Sequence, residues 1–235
     1  MIFDPMYFLI IGPGMLLALW ASWKVRSAFN EGMQYAPASG LTGAEAAYEV
    51  MQRAGVHDVG IEETHGYLSD HYDPTDRVLR LSPDVYHGRS LSALGVAAHE
   101  AGHALQHAEK YALLSVRNAI VPLAGFGSSL GMILILVGMV MMYMQAMLGY
   151  WVVWAGIALF SVIVIFQVVN LPVEFDASRR ARVLLLNNGM VTVEEDRIVG
   201  KVLRAAAMTY VAATLTAILE LVYWVLKATA LGSRD

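Results

Sequence analysis

Residues 118–173 read NAIVPLAGFGSSLGMILILVGMVMMYMQAMLGYWVVWAGIALFSVIVIFQVVNLPV, 56 positions without a charge. At about 1.5 Å per residue one helix of that length would overshoot a hydrocarbon core of about 30 Å more than twofold. The stretch therefore predicts two membrane helices in a hairpin. Gln145, Gly149 and the interfacial aromatics Tyr143, Tyr150 and Trp151 mark the turn. Two further runs flank it. Residues 6–23 carry no charge, and they lack the basic leader and cleavage site of a secretory signal, so they read as a retained anchor. Residues 205–226 carry one, Glu220, whose place in a span points first to a bundle-facing or snorkelling role.

Composition agrees with four spans. The 235 residues are 57% hydrophobic and 15% charged, against about 25% charged in soluble domains. The absence of cysteine excludes disulfides, thiolate metal sites and thiol nucleophiles. A net charge of −4 offers no nucleic-acid footprint. Fourteen of the sixteen lysines and arginines lie in 24–117 and 174–204. The positive-inside rule puts both segments in the cytoplasm of a plasma-membrane protein, with both termini outside. The expected organisation is a first transmembrane helix over 1–25, a cytoplasmic polar subdomain over 26–117 and the hairpin over 118–173. A cytoplasmic helical segment over 174–204 and a last span over 205–228 complete it. The expected fold is mainly α and integral to the membrane, with a small β-ribbon in the cytoplasmic subdomain.

The chemistry concentrates in the first polar segment, which holds all seven histidines. Thr42 and Glu45 form a capping-box pattern that opens a helix to about Ala54. Residues 59–62 and 77–81 look like short strands. Ser90 or Ser92 starts a helix that runs through His107. That helix carries His99-Glu100-Ala101-Gly102-His103. Residues four apart share a helix face, so both imidazoles reach one metal while Glu100 is offset toward an open coordination position. Zinc lowers the pKa of bound water, and a neighbouring carboxylate takes the proton and passes it to a leaving amine. Ala97, Ala98, Ala101 and Ala104 make the helix slim enough to bury.

A hydrolytic zinc site needs a third protein ligand. His107 lies about 12 Å along the helix from His99, too far for one tetrahedral ion. Glu174, the first charge after the hairpin, returns to the same membrane face and is the better candidate. Its alternative is an interfacial anchor or a partner of Arg179 or Arg180. Donors for a developing oxyanion are His71, Tyr72, Tyr86, His87, Arg179 and Arg180, with His71 favoured for its turn-rich setting before the strand at 77–81.

His99-Glu-Ala-Gly-His-Ala-Leu-Gln-His107, the upstream Leu68-Ser-Asp-His-Tyr-Asp-Pro74 and Gly88-Arg-Ser90, and the downstream Leu171-Pro-Val-Glu-Phe-Asp-Ala-Ser-Arg179 together resemble the YugP-type family of membrane zinc metallopeptidases. The resemblance covers nearly the whole chain. More distantly the chain is similar to gluzincin membrane proteases such as HtpX and the CAAX prenyl protease. That likeness implies His99, His103 and Glu174 as zinc ligands and Glu100 as general base. Gluzincins often place an aspartate four residues after the ligand glutamate; here Ser178 stands there, and Asp176 lies off the Glu174 face.

The resulting expectation is a zinc endopeptidase at the cytoplasmic membrane face, with a peptide or membrane-protein segment extended along the strand at 77–81. Membrane-protein quality control is its expected setting. The alternative is a non-proteolytic scaffold or adaptor with a structural zinc, which would need His71 or His107 as a fourth ligand.

Overall fold

A computed structural model describes residues 4–66 and 69–232. Among them the chain runs α1 (Pro5–Gly32), α2 (Gly43–Arg53), β1 (Gly60–Glu63), β2 (His71–Asp73), β3 (Val78–Leu81) and α3 (Pro83–Tyr86). Then follow α4 (Leu91–Ala108), α5 (Ala112–Tyr143), α6 (Leu148–Asn187) and α7 (Val193–Gly232). The fold is mainly helical with one small sheet. Leu68, the first residue of the upstream motif, lies outside the described residues.

Four helices, α1, α5, α6 and α7, are long and apolar enough to cross a membrane. Pro13, Pro122 and Pro172 sit inside three of them without ending them, as membrane helices tolerate. The reversal between α5 and α6 falls at 144–147, where Gln145 takes a left-handed φ of 60°. The helices overrun the apolar stretches. Residues 174–204 comprise the end of α6, a turn with Gly189 at φ 68°, and the start of α7.

The chain forms two compact units, and α1, α6 and α7 each contribute to both. The first comprises the described residues within 1–20, 116–171 and 210–235. Its apolar core includes Ile11, Ile135, Val153, Ile157, Phe160 and Trp224. Here α5 and α6 meet backbone to backbone. A Cβ on Gly156 would stand 2.7 Å from the Gly131 carbonyl oxygen, so both positions need glycine for the approach.

The second unit comprises 21–115 and 172–209. Its core gathers Val50 and Met51 of α2, Leu79 and Leu81 of β3, Leu94 and Ala98 of α4, Leu185 of α6 and Val199 of α7. Thr42 caps α2 through the reciprocal box with Glu45. Ser90 caps α4, its hydroxyl accepting from the Ala93 N–H at 3.1 Å. Ala97, Ala98, Ala101 and Ala104 are buried along α4.

The sheet order is β1-β3-β2, with β1 parallel and β2 antiparallel to β3. This corrects one expectation: the strand at 77–81 is central, and both its edges are taken. Among the described residues the outer strands are β1 and β2. Strand β2 is three residues long and poor in strand formers, which hid it in the sequence. Tertiary ties make it. Asp73 Oδ1 accepts from the N–H groups of Thr75 (2.8 Å) and Asp76 (3.3 Å), closing the turn that returns the chain to β3. At the other end Asp70 accepts from the Ser82 N–H at 2.7 Å and from its hydroxyl. Burial pushes the Asp70 carboxyl up, and these bonds from Ser82 pull against it.

Candidate metal centre

Helix α4 places His99 and His103 one turn apart with ring centroids 4.9 Å from each other. Glu174 of α6 meets both: its Oε2 lies 3.2 Å from His99 Nε2 and 3.6 Å from His103 Nε2. Donor atoms of the three residues all lie within 4.8 Å of one another. The fourth residue of the histidine motif, Gly102, explains the approach of α6. A Cβ at Gly102 would stand 2.8 Å from the Ala177 carbonyl oxygen and 3.2 Å from its Cα. Glycine there lets the two backbones touch, which carries Glu174, one turn before Ala177, against the imidazoles.

Glu174 and His103 are buried, and Glu100 is 9% exposed. Burial pushes the Glu100 carboxyl well up, against the pull of His99 and His103. Burial also opposes a charge on His103, but the hydrogen bond it donates to Glu174 and the charges of Glu100 and Glu174 overcome it and raise its pKa. Two buried carboxylates facing two imidazoles form a cluster short of positive charge, which a divalent cation supplies. Nitrogen and carboxylate donors in this number suit zinc and leave one position of a tetrahedral ion open. The donor set therefore fits the metal.

Glu100 Oε2 accepts the Tyr72 N–H at 3.1 Å, so the main chain of β2 borders the carboxylate. The Tyr72 hydroxyl lies 2.7 Å from His107 Nδ1. Beside them opens a cavity of about 380 Å³, lined by Val56, Val59, Ala104 and the Asp58–Arg77 pair.

The structure brings His99, Glu100, His103 and Glu174 together. His107 stands outside the donor group, engaged by Tyr72. His71 lies opposite Arg80 on the exposed face of the sheet, while Tyr72 lies opposite buried Leu79. The His71 ring faces the Ser69 carbonyl oxygen at 2.8 Å. Among the other oxyanion candidates, His87 faces Glu63 at 3.0 Å. Arg179 and Arg180 both pair with Asp176.

The contacts of two residues escaped the sequence reading. Ser178 Oγ lies 3.1 Å from His99 Nδ1, taking the place at which gluzincins carry aspartate. Gln106 Oε1 lies 3.0 Å from His103 Nδ1, and its amide nitrogen donates to Asp176 Oδ2 at 2.9 Å. Asp176 thus reaches the site through Gln106. The available signal was an amide three residues after His103 in an otherwise alanine-rich helix.

Paired helical imidazoles met by a carboxylate from a later helix, with a further glutamate between them, define a metallopeptidase type of centre. Residues 7–229 match the family described as "Putative neutral zinc metallopeptidase", and the chain belongs to that family. It is 45% identical over 210 residues to the protein named "Putative membrane protease YugP" of Bacillus subtilis (strain 168). The match covers 89% of this chain and 91% of that relative. No solved structure matches the chain.

Proposed function

We propose that the protein is a membrane-embedded zinc endopeptidase, its zinc held by His99, His103 and Glu174 and its general base Glu100. The observation that carries this reading is the buried three-donor group with Glu100 beside it, in a chain of a zinc metallopeptidase family. Zinc, when bound, supplies the Lewis acidity that activates water and polarises a carbonyl. Glu100 accepts the proton of the water that attacks the scissile carbon. It then returns that proton to the amine as the C–N bond breaks. The Tyr72 N–H holds the Glu100 carboxylate in place.

A peptide substrate lies extended beside the outer strand β2, whose Tyr72 N–H is already committed to Glu100, since β3 is paired on both sides. The cavity beside Tyr72 and His107 gives a substrate side chain room. His71, at the head of β2, is the group such a peptide meets from the outer face. The basic segments 24–117 and 174–204 support a site at the cytoplasmic face of the plasma membrane, suited to membrane-protein segments and to quality control. Engagement of His107 by Tyr72 and of His71 by Ser69 speaks against the closed four-ligand site of a scaffold.

The test is zinc content and turnover of labelled, unfolded casein by the detergent-purified protein. Glu100→Gln is expected to keep one zinc and to lower kcat by about 10²–10⁴-fold. Unchanged turnover would sink the hydrolytic reading. His71→Ala is expected to lower kcat with zinc retained, and an unaltered rate would remove it from the oxyanion role. Because the chain has no cysteine, His57→Cys reports orientation directly. An impermeant maleimide should label it only after cells are opened.

A further inference from the structure

Gln106 has none of its surface exposed, and all its amide positions face protein. Its nitrogen donates to the Val173 carbonyl oxygen at 2.9 Å and to Asp176 Oδ2 at 2.9 Å. Both are acceptors only. Turned end for end, the amide would press its oxygen against two oxygens, so its orientation is dictated by chemistry. The amide oxygen must then face His103 Nδ1, 3.0 Å away, and that nitrogen must carry the hydrogen. In a neutral imidazole this leaves Nε2, the atom 3.6 Å from Glu174 Oε2, with its lone pair free.

We propose that Asp176 and Gln106 are positioning residues that select the Nδ1–H tautomer of His103 and present Nε2 to the metal. The inference rests on reading His99, His103 and Glu174 as the zinc ligands. Asp176 is kept an acceptor by Arg179 and Arg180, and Arg180 also reaches Glu109 at 2.7 Å, one residue beyond α4. The chain of polarity therefore runs from the end of α4, across α6, and back to α4. His99 is handled differently. Its Nδ1 faces the Ser178 hydroxyl, which both donates and accepts and so imposes no tautomer.

Two measurements on the full-length, detergent-solubilised chain test this. In the metal-free parent with labelled histidines, nitrogen and carbon chemical shifts followed upward in pH until the His103 ring has lost its charge should show it as Nδ1–H. The Nε2–H form would overturn the proposal whatever the zinc result. Zinc affinity by chelator competition should then fall roughly 10- to 100-fold in Gln106→Met, with helix content and apo melting temperature retained. In the same metal-free variant the His103 shifts should lose the Nδ1–H signature and move toward the Nε2–H form, which a purely structural role for Gln106 would not produce. Parent-like affinity in a folded Gln106→Met would overturn the proposal. A parent that binds no zinc would instead count against the metallopeptidase reading and leave the tautomer measurement to decide this one.

Discussion

The same packing device appears in both compact units and does different work in each. In the first, Gly131 and Gly156 bring α5 and α6 backbone to backbone within an apolar core. In the second, Gly102 brings α4 against Ala177 of α6, and the contact delivers a carboxylate to two imidazoles. Removing side-chain bulk is a stability device where the neighbours are Ile135 and Phe160. Where the neighbours are His99, His103 and Glu174 it becomes a means of building a site.

The largest effect that sharpens this contrast is expected from Glu174→Ala. Zinc binding should be lost outright and turnover should fall to background, while the melting temperature of the metal-free protein changes little. Elemental analysis and calorimetry check both. Next come two matched glycine substitutions. Gly102→Ala and Gly156→Ala each force a Cβ against backbone and should each destabilise by about 1–3 kcal/mol. Zinc affinity should fall roughly tenfold in Gly102→Ala, equivalent to about 1.4 kcal/mol, and stay unchanged in Gly156→Ala. Equal zinc affinities in the two variants would break the comparison.

Acid gives the smallest effect. Arg80, with the N–H groups of Thr75 and Asp76, holds the Asp73 carboxyl at about 2, below its ordinary 3.8. The folded state therefore favours the ionised form. This contribution is full above 3.8 and is lost as pH falls toward about 2. Asp73→Asn should flatten the acid limb of stability in that window, read from thermal melts of the purified protein.

The long apolar runs were legible because a bilayer sets helix length directly. The capping box was legible because Thr42 and Glu45 lie within one helical turn of each other in sequence. The histidine pair announced itself by its spacing, and Glu174 by being the first charge after the uncharged run. What stayed hidden depends on partners far along the chain. Strand β2 owes its form to Asp73, Ser82 and Glu100 rather than to the propensities of His71, Tyr72 and Asp73. Without β2, the strand at 77–81 looked like an edge. Gln106 meets Val173 and Asp176 across 67 and 70 residues, so no local pattern reveals its role. Asp176 looked misplaced because direct contact with an imidazole was expected, and an amide stands between them.

The 75 residues that separate His99 from Glu174 also have a consequence in time. At about 5–20 residues per second of synthesis, α4 leaves the ribosome roughly 4–15 s before Glu174 does. During that interval the two imidazoles have no carboxylate, and the whole of α5 must be made first. The newborn chain cannot assemble the three-residue donor group until most of its apolar length has been synthesised, and the candidate metal centre is completed late.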